Sequence, residues 1–417
     1  MSGSTTTPGF AGRRVRTLVI RGDGDVLGCL PPIELPVPWW PDTADLLAAL
    51  RASFGLNALV LRLVTTSTPR LEPGADVTYA VELVGQLPHR LPLEPYDGTA
   101  LGDDADPLRM PWARLGGVAA DIAWADRQLG HLGCMRTGPV EQLKSWNLSL
   151  LLRMPTTEGT VWLKHVPPFM RHEAAVMRLV RQAGASVPEV LASDLVGRAL
   201  LKEAPGEDAY DPDEPLAIQM VESFVALQER FASRRDAILA TGSEDWSRAT
   251  LVHEASRLAA RDDLRADLEL GEQAALDQLV GEMPTRLEAL YECGLVDTLI
   301  HGDFHPGNYR TDGQRLVLLD WGDCGVGHPL FDMTTFLNGV PIDSLTRLRD
   351  AWNATWKGFH PAADVTRAAE LVRPIAALRL ASVYQRFIDG IEASEHVYHR
   401  TDPPAWIRRA ITLARNR

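Results

Sequence analysis

The segment Ile300–Asp323, IHGDFHPGNYRTDGQRLVLLDWGD, constrains the fold of this chain more than any other stretch. The turn signal TDGQ at positions 311–314 lies between the short runs NYR and RLVLLD, and the second run is strongly β-forming. This pattern predicts a β-hairpin that folds about Asp312 and Gly313 and sets Asn308 opposite Val317.

Three side chains with oxygen atoms converge at the open end of the predicted hairpin: Asp303, Asn308 and Asp320. Carboxylate and amide oxygens suit a hard cation such as Mg²⁺, which binds few protein oxygens together with water and phosphate. The arrangement indicates phosphoryl transfer, with Asn308 and Asp320 as the metal ligands.

The acidic composition argues against a nucleic-acid partner. The chain carries a net charge of -13, whereas binding to nucleic-acid phosphates requires basic patches. The acidity also offers mild support for a cationic substrate, although keeping a protein in solution is the commoner reason for a negative charge.

The cysteines and the apolar runs indicate the cellular location. Cys29, Cys134, Cys293 and Cys324 form no Cys-x-x-Cys pair, so neither a zinc site nor a disulfide framework is indicated. No apolar run predicts a secretion signal or a membrane span. We therefore expect a cytoplasmic protein with no membrane partner. The sequence leaves the oligomeric state open between a monomer and a homodimer.

The 417 residues suffice for two or three domains. Residues 1–138 read as a small α+β domain, 139–205 as a five-stranded antiparallel sheet with one helix, and 206–417 as a mainly helical part. The β-α-β order and the motif LLAALRASFGL in the first domain resemble a Nudix-type domain, whose catalytic helix carries a Glu-rich motif before a Gly. Ala52-Ser53-Phe54 stands where acidic metal ligands would be needed, so we expect this domain to be non-catalytic.

Two residues in the middle part suggest a phosphate-binding pair. Lys164 ends the apolar strand VWLK in a chain that is poor in lysine, although a lysine at a strand end can also simply reach solvent. Glu173 shares a helical stripe with Val176 and Val180, and an inward carboxylate requires a cation. We expect Glu173 to pair with Lys164 and to orient its ammonium toward nucleotide phosphates.

The residues named above occur in a familiar order. Asp303 and Asn308 have the spacing of the kinase catalytic loop, and Asp320 begins DWGD where kinases have D-F-G. HGDFHPGN followed by LLDWGD resembles the aminoglycoside phosphotransferase and choline kinase family. The resemblance covers roughly residue 141 to the C-terminus, and it implies a two-lobed, protein-kinase-like α+β fold.

This resemblance also implies the reaction and the roles of the loop residues. The γ-phosphate of ATP or GTP would pass to a small-molecule hydroxyl, with Asp303 accepting or orienting the hydroxyl proton. Asn308 and Asp320 would hold Mg²⁺. His301 would buttress the catalytic loop, and for His305 a supporting part is favoured over a catalytic one.

The nucleotide-binding loop departs from the protein-kinase pattern because LKSWNLSLLLRM contains no glycine. Ser145, Asn147 and Ser149 could donate to phosphate oxygens instead. The segment LLKEAPGED would form the hinge, where the backbone of Glu203, Ala204 and Pro205 would meet the base.

The acceptor site is the least determined part. Asp389, Glu392 and Glu395, which the pattern places on one C-terminal helix, could receive a cationic substrate, although a solvated helix face explains them equally well. Trp352 and Tyr384 could line a sugar or nucleoside pocket, although core packing is the commoner role.

Three functions remain open from the sequence. The leading one is phosphorylation of an antibiotic hydroxyl, on an aminoglycoside or another sugar-containing or nucleoside-containing antibiotic, which would give resistance. The second is a metabolic kinase for a sugar, amino sugar or choline-like alcohol. The third is a catalytically silent pseudokinase with an N-terminal assembly domain, against which the complete set of loop residues argues.

Overall fold

A computed structural model describes residues 12–96 and 105–415. These residues form two compact units. The first contains the described residues up to Pro168, together with Leu191–Lys202 and Phe387–Thr401. The second contains Phe169–Val190, Glu203–Arg386 and the described residues from Asp402 onward. The chain therefore passes between the units several times.

The first unit begins with a four-stranded sheet and a helix. Leu46, Leu47 and Leu50 lie on the buried face of the helix, and they pack in one core with residues of the sheet. The sheet has the order β2-β1-β4-β3, in which β1 pairs parallel with β4 and the other two pairings are antiparallel. The elements are β1 (Arg13–Ile20), β2 (Val26–Leu35), α1 (Ala44–Phe54), β3 (Ala58–Thr66), β4 (Asp76–Leu83) and α2 (Gly117–His131).

A second sheet in the first unit has five strands in the order β5-β6-β7-β9-β8. The residues of β6, SLLLRMPT, alternate between buried and partly buried, because successive side chains of a strand point to opposite faces. The pairings of β5 with β6, β6 with β7 and β7 with β9 are antiparallel, as the sequence predicts. The elements are β5 (Glu141–Trp146), β6 (Ser149–Thr156), β7 (Gly159–His165), β8 (Val190–Ser193) and β9 (Arg198–Lys202).

Buried polar groups join these two sheets. The side chain of Gln142 on β5 accepts the N–H of Val60 at 2.9 Å and donates to the carbonyl of Val60 at 2.7 Å. The hydroxyl of Ser145 donates to the same carbonyl at 3.2 Å. The N-terminal sheet and the five-stranded sheet therefore share a hydrogen-bonded interior rather than a surface contact.

The second unit is mainly helical, as the sequence predicts. Two three-stranded sheets, of order β10-β13-β14 and β11-β15-β12, lie among its helices. Its helices are α3 (Glu173–Gln182), α4 (Glu214–Phe231), α5 (Arg235–Leu239), α6 (Arg248–Ala259), α7 (Asp262–Ala266), α8 (Leu270–Tyr291), α9 (Leu330–Asn338), α10 (Leu345–Phe359), α11 (Val365–Gly390) and α12 (Asp402–Arg415). Its strands are β10 (Glu207–Asp208), β11 (Glu244–Asp245), β12 (Thr298–Ile300), β13 (Tyr309–Thr311), β14 (Leu316–Leu318) and β15 (Gly325–Gly327).

The helix α11 ends earlier than the sequence suggests. It stops at Gly390, and a short 3₁₀ helix follows over Ala393–Tyr398. A glycine is a weak helix former because it loses the most backbone freedom on folding. The prediction that Asp389, Glu392 and Glu395 lie on one C-terminal helix is therefore wrong.

None of the helices in residues 12–96 and 105–415 is long and apolar enough to cross a membrane.

Candidate active site

The hairpin that carries the candidate site forms as predicted, but its register differs. Thr311 pairs with Leu316, and the N–H of Leu319 donates to the carbonyl of Asn308 at 2.8 Å. The carboxylate of Asp312 accepts the N–H groups of the residues at positions 314 and 315, which makes a four-residue loop. Asn308 therefore lies opposite Leu319 rather than Val317, next to Asp320.

A buried carboxylate, Asp332, holds the start of the catalytic loop. It lies in the first turn of α9 and accepts the N–H of His301 at 3.0 Å and the N–H of Gly302 at 2.8 Å. The side chain of Gln228 also donates to it at 3.1 Å. Burial raises the pKa of Asp332 to about 7, although the Gly302 N–H and the Arg379 charge act in the opposite direction. Asp332 therefore anchors the start of the loop through two backbone N–H groups.

His301 connects the catalytic loop to the segment that follows β14. It is fully buried, its Nε2 donates to the carbonyl of Leu319 at 2.9 Å, and its ring packs edge-on against Trp321. Burial lowers the pKa of His301, so the ring is neutral near pH 7. A neutral, hydrogen-bonded and buried ring fits the expected buttressing role.

The side chain of Asp303 is held on one oxygen. The amide nitrogen of Asn308 donates to Asp303 Oδ2 at 3.1 Å and to its carbonyl at 2.8 Å. His305 Nε2 lies 3.4 Å from the same Oδ2, and His305 Nδ1 accepts the N–H of Gly307 at 3.0 Å. Because Nδ1 accepts, the proton of a neutral His305 ring sits on Nε2, facing Asp303.

The charges of this pair reinforce each other. Burial acts to raise the pKa of Asp303, but the hydrogen bond and charge of His305 outweigh it and lower that pKa. Burial likewise acts to lower the pKa of His305, and its contact with Asp303 raises it. Asp303 is therefore ionised near pH 7, with Oδ2 fixed and Oδ1 on the opposite side of the carboxylate.

Asp320 has an unusual backbone conformation. Its φ of 58° lies in the left-handed region, which few residues other than glycine adopt. The next residue, Trp321, donates its N–H to Glu173 Oε1 at 3.1 Å. Glu173 is buried at the start of α3 on one stripe with Val176 and Val180, as predicted. The buried glutamate thus fixes the backbone beside the exposed Asp320 side chain.

These residues suit a divalent cation. The nitrogen of the Asn308 amide is used by Asp303, so the amide oxygen is the atom that can face a metal. The N–H of Leu319 donates to the carbonyl of Asn308, and the amide of Asn308 donates to Asp303, so Asp320 follows directly on a residue that is bonded to this pair. One amide oxygen and one carboxylate beside a second carboxylate match the few protein ligands that Mg²⁺ takes when phosphate and water supply the rest.

The expected nucleotide-binding residues are divided between the two units. Lys164 lies on β7 in the first unit and Glu173 lies in the second, so their ion pair stays a prediction. The segment of Glu203, Ala204 and Pro205 follows β9, where the chain enters the second unit, and its contact with a base also stays a prediction.

Two residues of the expected phosphate-binding loop are buried. Ser145 is fully buried and donates to the carbonyls of Val60 and Leu61, so its hydroxyl is used within the N-terminal sheet. Asn147 is fully buried as well. Neither placement supports the predicted donation to phosphate oxygens. Ser149 lies on β6 and accepts the indole N–H of Trp146 at 3.0 Å.

Several residues expected at the acceptor site have other roles. Glu392 is buried in the first unit, where the guanidinium of Arg109 donates to its Oε2 at 3.0 and 2.9 Å. Glu395 is buried beside it, and burial raises its pKa to about 8. Trp352 is fully buried in the second unit against Phe304. These placements correct the expectation that the three residues contact a substrate, whereas Asp389 is exposed.

Tyr384 differs from these because acids of the second unit surround it. Burial raises the pKa of its hydroxyl, and the charges of Asp402, Asp303 and Asp323 raise it further. Asp323 also lies against the catalytic loop, since a Cβ added to Gly302 would be only 2.1 Å from the Asp323 carbonyl. The sequence analysis missed Asp323 and Asp402 as neighbours of Tyr384 because the three lie far apart in the chain.

Comparisons with known proteins identify the family of this chain. The model of a phosphotransferase enzyme family matches residues 146–371, which is more than half of the chain. No curated protein matches the sequence.

One solved structure, the first of the three that follow, supports the same fold. A choline/ethanolamine kinase family protein from Mesorhizobium loti is 18% identical, with 71% of this chain and 95% of that chain covered and a TM-score of 0.50. A macrolide 2'-phosphotransferase from Brachybacterium faecium is 18% identical, covering 68% and 97%, with a TM-score of 0.49. Aminoglycoside 2'-phosphotransferase-IIIa is 13% identical, covering 70% and 96%, with a TM-score of 0.48.

The predicted protein-kinase-like α+β fold, with its five-stranded sheet and helical C-terminal part, is confirmed. The suspected relationship is confirmed as well, and the chain belongs to the phosphotransferase enzyme family.

Proposed function

We propose that this protein transfers the γ-phosphate of ATP or GTP to a hydroxyl of a small, amine-bearing molecule, with an aminoglycoside-type antibiotic as the first candidate. The observation that carries the proposal is the geometry of Asp303. Its carboxylate is held on one oxygen by Asn308 and flanked by His305, and Asp332 accepts the N–H of the preceding residue, Gly302. A carboxylate fixed in this way suits the positioning of a reacting hydroxyl.

Asp303 would act mainly by orientation. Because its pKa is lowered, it is a weak base near pH 7. A weak base suffices where the transition state for phosphoryl transfer is loose, since the attacking hydroxyl loses its proton late. Asp303 Oδ1 would accept the hydroxyl's hydrogen bond and then its proton, while Asn308 and His305 keep Oδ2 in place.

Asn308 Oδ1 and Asp320 would hold Mg²⁺ together with the phosphates of the nucleotide. The bound ion would neutralise charge on the β- and γ-phosphates. Glu173, through the N–H of Trp321, would keep the backbone of Asp320 in its left-handed conformation. Lys164 remains the proposed phosphate-binding lysine of the first unit.

The acidic surroundings of Tyr384 favour a cationic acceptor. Asp303, Asp323 and Asp402 all act on the pKa of its hydroxyl. An ammonium group near these carboxylates would bind more favourably than a neutral group, because opposite charges at short range attract. An amino sugar of an antibiotic has such a group beside its hydroxyls. A choline-like alcohol or a metabolic amino sugar has it too, and only turnover separates the three.

The test is a screen for nucleotide consumption, with ATP and GTP as donors and hydroxyl-bearing antibiotics, amino sugars and choline as acceptors. Product mass and the position of the new phosphate would be measured. Phosphorylation of an antibiotic would support the leading proposal, and turnover of the metabolites alone would select the metabolic kinase. Nucleotide binding with no transfer to any acceptor would indicate a pseudokinase.

Two variants separate the roles of the loop residues. Asp303→Ala should lower kcat at least about a thousandfold with little change in nucleotide affinity, since it acts on the acceptor. Asp320→Ala should instead weaken binding of the Mg²⁺-nucleotide. Asp350→Asn, at an exposed acid on α10, is the matched control and should leave both quantities unchanged. A near-normal kcat in Asp303→Ala would contradict the assignment.

A further inference from the structure

A cavity lies wholly within the second unit, among α9, α10, α11 and α12. Its volume is about 160 Å³, and its apolar lining includes Met333, Leu345, Leu380, Trp406 and Leu413. An apolar protein cavity of about 150 Å³ is large enough to admit benzene. The apolar part of this cavity can therefore accommodate one small ring.

Three arginines from three different helices border the same cavity: Arg349, Arg373 and Arg409. Glu370 pairs with two of them: its Oε1 lies 3.4 Å from Arg349 and its Oε2 lies 2.9 Å from Arg373. Arg409 donates to the side-chain oxygen of Asn338 at 2.5 Å and lies over the ring of Trp406. This concentration of positive charge contrasts with the net charge of -13 of the chain.

The arginines can turn toward a ligand at little cost. The side chains of Arg349, Arg373 and Glu370 are 41%, 43% and 55% exposed, so their ion pairs are of the weak surface kind. Each guanidinium has five N–H donors in a planar fork that matches a carboxylate or a phosphate. The two oxygens of Glu370 cannot satisfy two such groups, so an additional anion would be accepted.

We propose that this cavity binds a small amphipathic anion, with a ring-sized apolar body among the helices and a carboxylate or phosphate against the three arginines. The charge of this site has the opposite sign to that of the acids around Tyr384. Its ligand is either a free effector or an anionic part of an extended acceptor.

The helix α9 connects this cavity to the catalytic loop. Met333 and Thr334 line the cavity directly after Asp332, which holds the loop by two N–H groups. At the other end of α9, a Cβ added to Gly339 would lie 3.5 Å from the Cβ of His305. A ligand in the cavity therefore touches the helix that positions Asp303, and its binding should change the rate of phosphoryl transfer.

Calorimetric titration of the full chain tests the proposal without any turnover. Benzoate and 3-phenylpropionate are suitable probes because neither has an alcohol that could be phosphorylated. We expect both to bind, and benzamide, the neutral analogue of benzoate, to bind at least about tenfold more weakly. Arg373→Gln and Arg409→Gln should each weaken anion binding about tenfold.

Arg347→Gln is the matched control, because this arginine is exposed on the same helix as Arg349, pairs with Glu214 and does not line the cavity. It should bind the probes as the unmodified protein does. No binding at millimolar concentrations, equal affinity for benzamide, or unchanged affinity in Arg373→Gln and Arg409→Gln would overturn the proposal.

Once an acceptor is known, enzyme kinetics can distinguish a free effector from an anionic part of the acceptor. Inhibition by 3-phenylpropionate that an excess of acceptor relieves would identify the site as part of the acceptor subsite. A change in kcat that acceptor does not relieve would identify an effector site. Failure of the phosphoryl transfer proposal would leave the calorimetric result intact, so the two proposals can fail separately.

Discussion

At the scale of single residues, Asp320 combines a side chain that we propose binds the metal with a left-handed backbone. Glycine adopts this conformation freely, whereas an alanine there is strained by about 1 kcal/mol. Asp320→Ala and Asp320→Gly both remove the carboxylate, so both should lose binding of the Mg²⁺-nucleotide. Their stabilities should differ, with Asp320→Gly more stable than Asp320→Ala by about 1 kcal/mol in urea unfolding. Equal stabilities would show that the φ of 58° is not maintained.

Glu395 gives a prediction for the dependence of stability on pH. It is 2% exposed, and its pKa is raised from 4.5 to about 8, first by burial and then by the charge of Glu392. Arg62, Arg109 and the N–H of Leu63 act in the opposite direction. Between pH 4.5 and 8 the folded state keeps a proton that the unfolded state releases. Glu395 therefore makes the protein less stable as the pH rises through this window.

A glutamine in its place cannot ionise, so Glu395→Gln should gain stability relative to the unmodified protein as the pH rises. We expect this difference in the free energy of unfolding to grow by ~3 kcal/mol between about pH 5 and about pH 8. Urea unfolding at several pH values measures it. Glu34→Gln, at an exposed glutamate of the same unit, should show no such growth. A pH-independent difference for Glu395→Gln would mean that this side chain is ionised throughout.

The residue identities of the catalytic loop could be predicted from the sequence because they act over short distances along the chain. Asp303, Asn308 and Asp320 flank the two ends of one hairpin, and Glu173 could be recognised as a charge on an apolar helical stripe. The role of Glu392 could not be predicted in this way. Its partner Arg109 lies 283 residues away, and nothing in the local pattern indicates that pairing.

At the scale of elements, the turn signal predicts that the hairpin forms but does not determine its loop length or register. The signal predicted a hairpin about Asp312 and Gly313, and this part was confirmed. The loop length was wrong because Asp312 accepts two backbone N–H groups and lengthens the loop to four residues. The resulting shift of two residues leaves every side chain on its expected face, since strands repeat every two residues.

The turn before Asp303 supplies an element-scale prediction with an internal control. Gly302 and Gly313 both have positive φ, of 88° and 83°. A Cβ on Gly302 would lie 2.1 Å from the carbonyl oxygen of Asp323, whereas a Cβ on Gly313 would meet nothing within 4 Å. Gly313→Ala should therefore cost only the backbone strain of about 1 kcal/mol.

Gly302→Ala should cost at least about 3 kcal/mol, because the clash is with backbone that cannot turn away. It should also lower kcat by displacing Asp303, while Gly313→Ala should leave kcat unchanged. Urea unfolding and turnover of the two variants are the measurements. Similar losses of stability in both would show that the close approach of Gly302 to Asp323 is not part of the folded state.

At the scale of the whole molecule, the N-terminal third is built into the first unit. The side chain of Gln142 is hydrogen-bonded to both backbone groups of Val60, and the indole ring of Trp40 packs edge-on against Tyr398. The backbone N–H of Leu71 also donates to the carbonyl of Val397 at 3.1 Å. The sequence could not predict these contacts, because composition and spacing place a boundary near residue 139 without showing what lies on either side of it.

These contacts predict the effect of removing the N-terminal third. A chain of residues 139–417 would expose the apolar side chains that surround Tyr398, and it would leave the buried side chains of Gln142 and Ser145 without partners. We expect this truncated chain to lose its near-ultraviolet circular dichroism and to be digested rapidly in limited proteolysis. In the full chain, Gln142→Ala should cost about 2 kcal/mol, because the buried N–H of Val60 loses its acceptor. A truncated chain that resists protease and turns over as fast as the full chain would show instead that residues 1–138 form an independent domain.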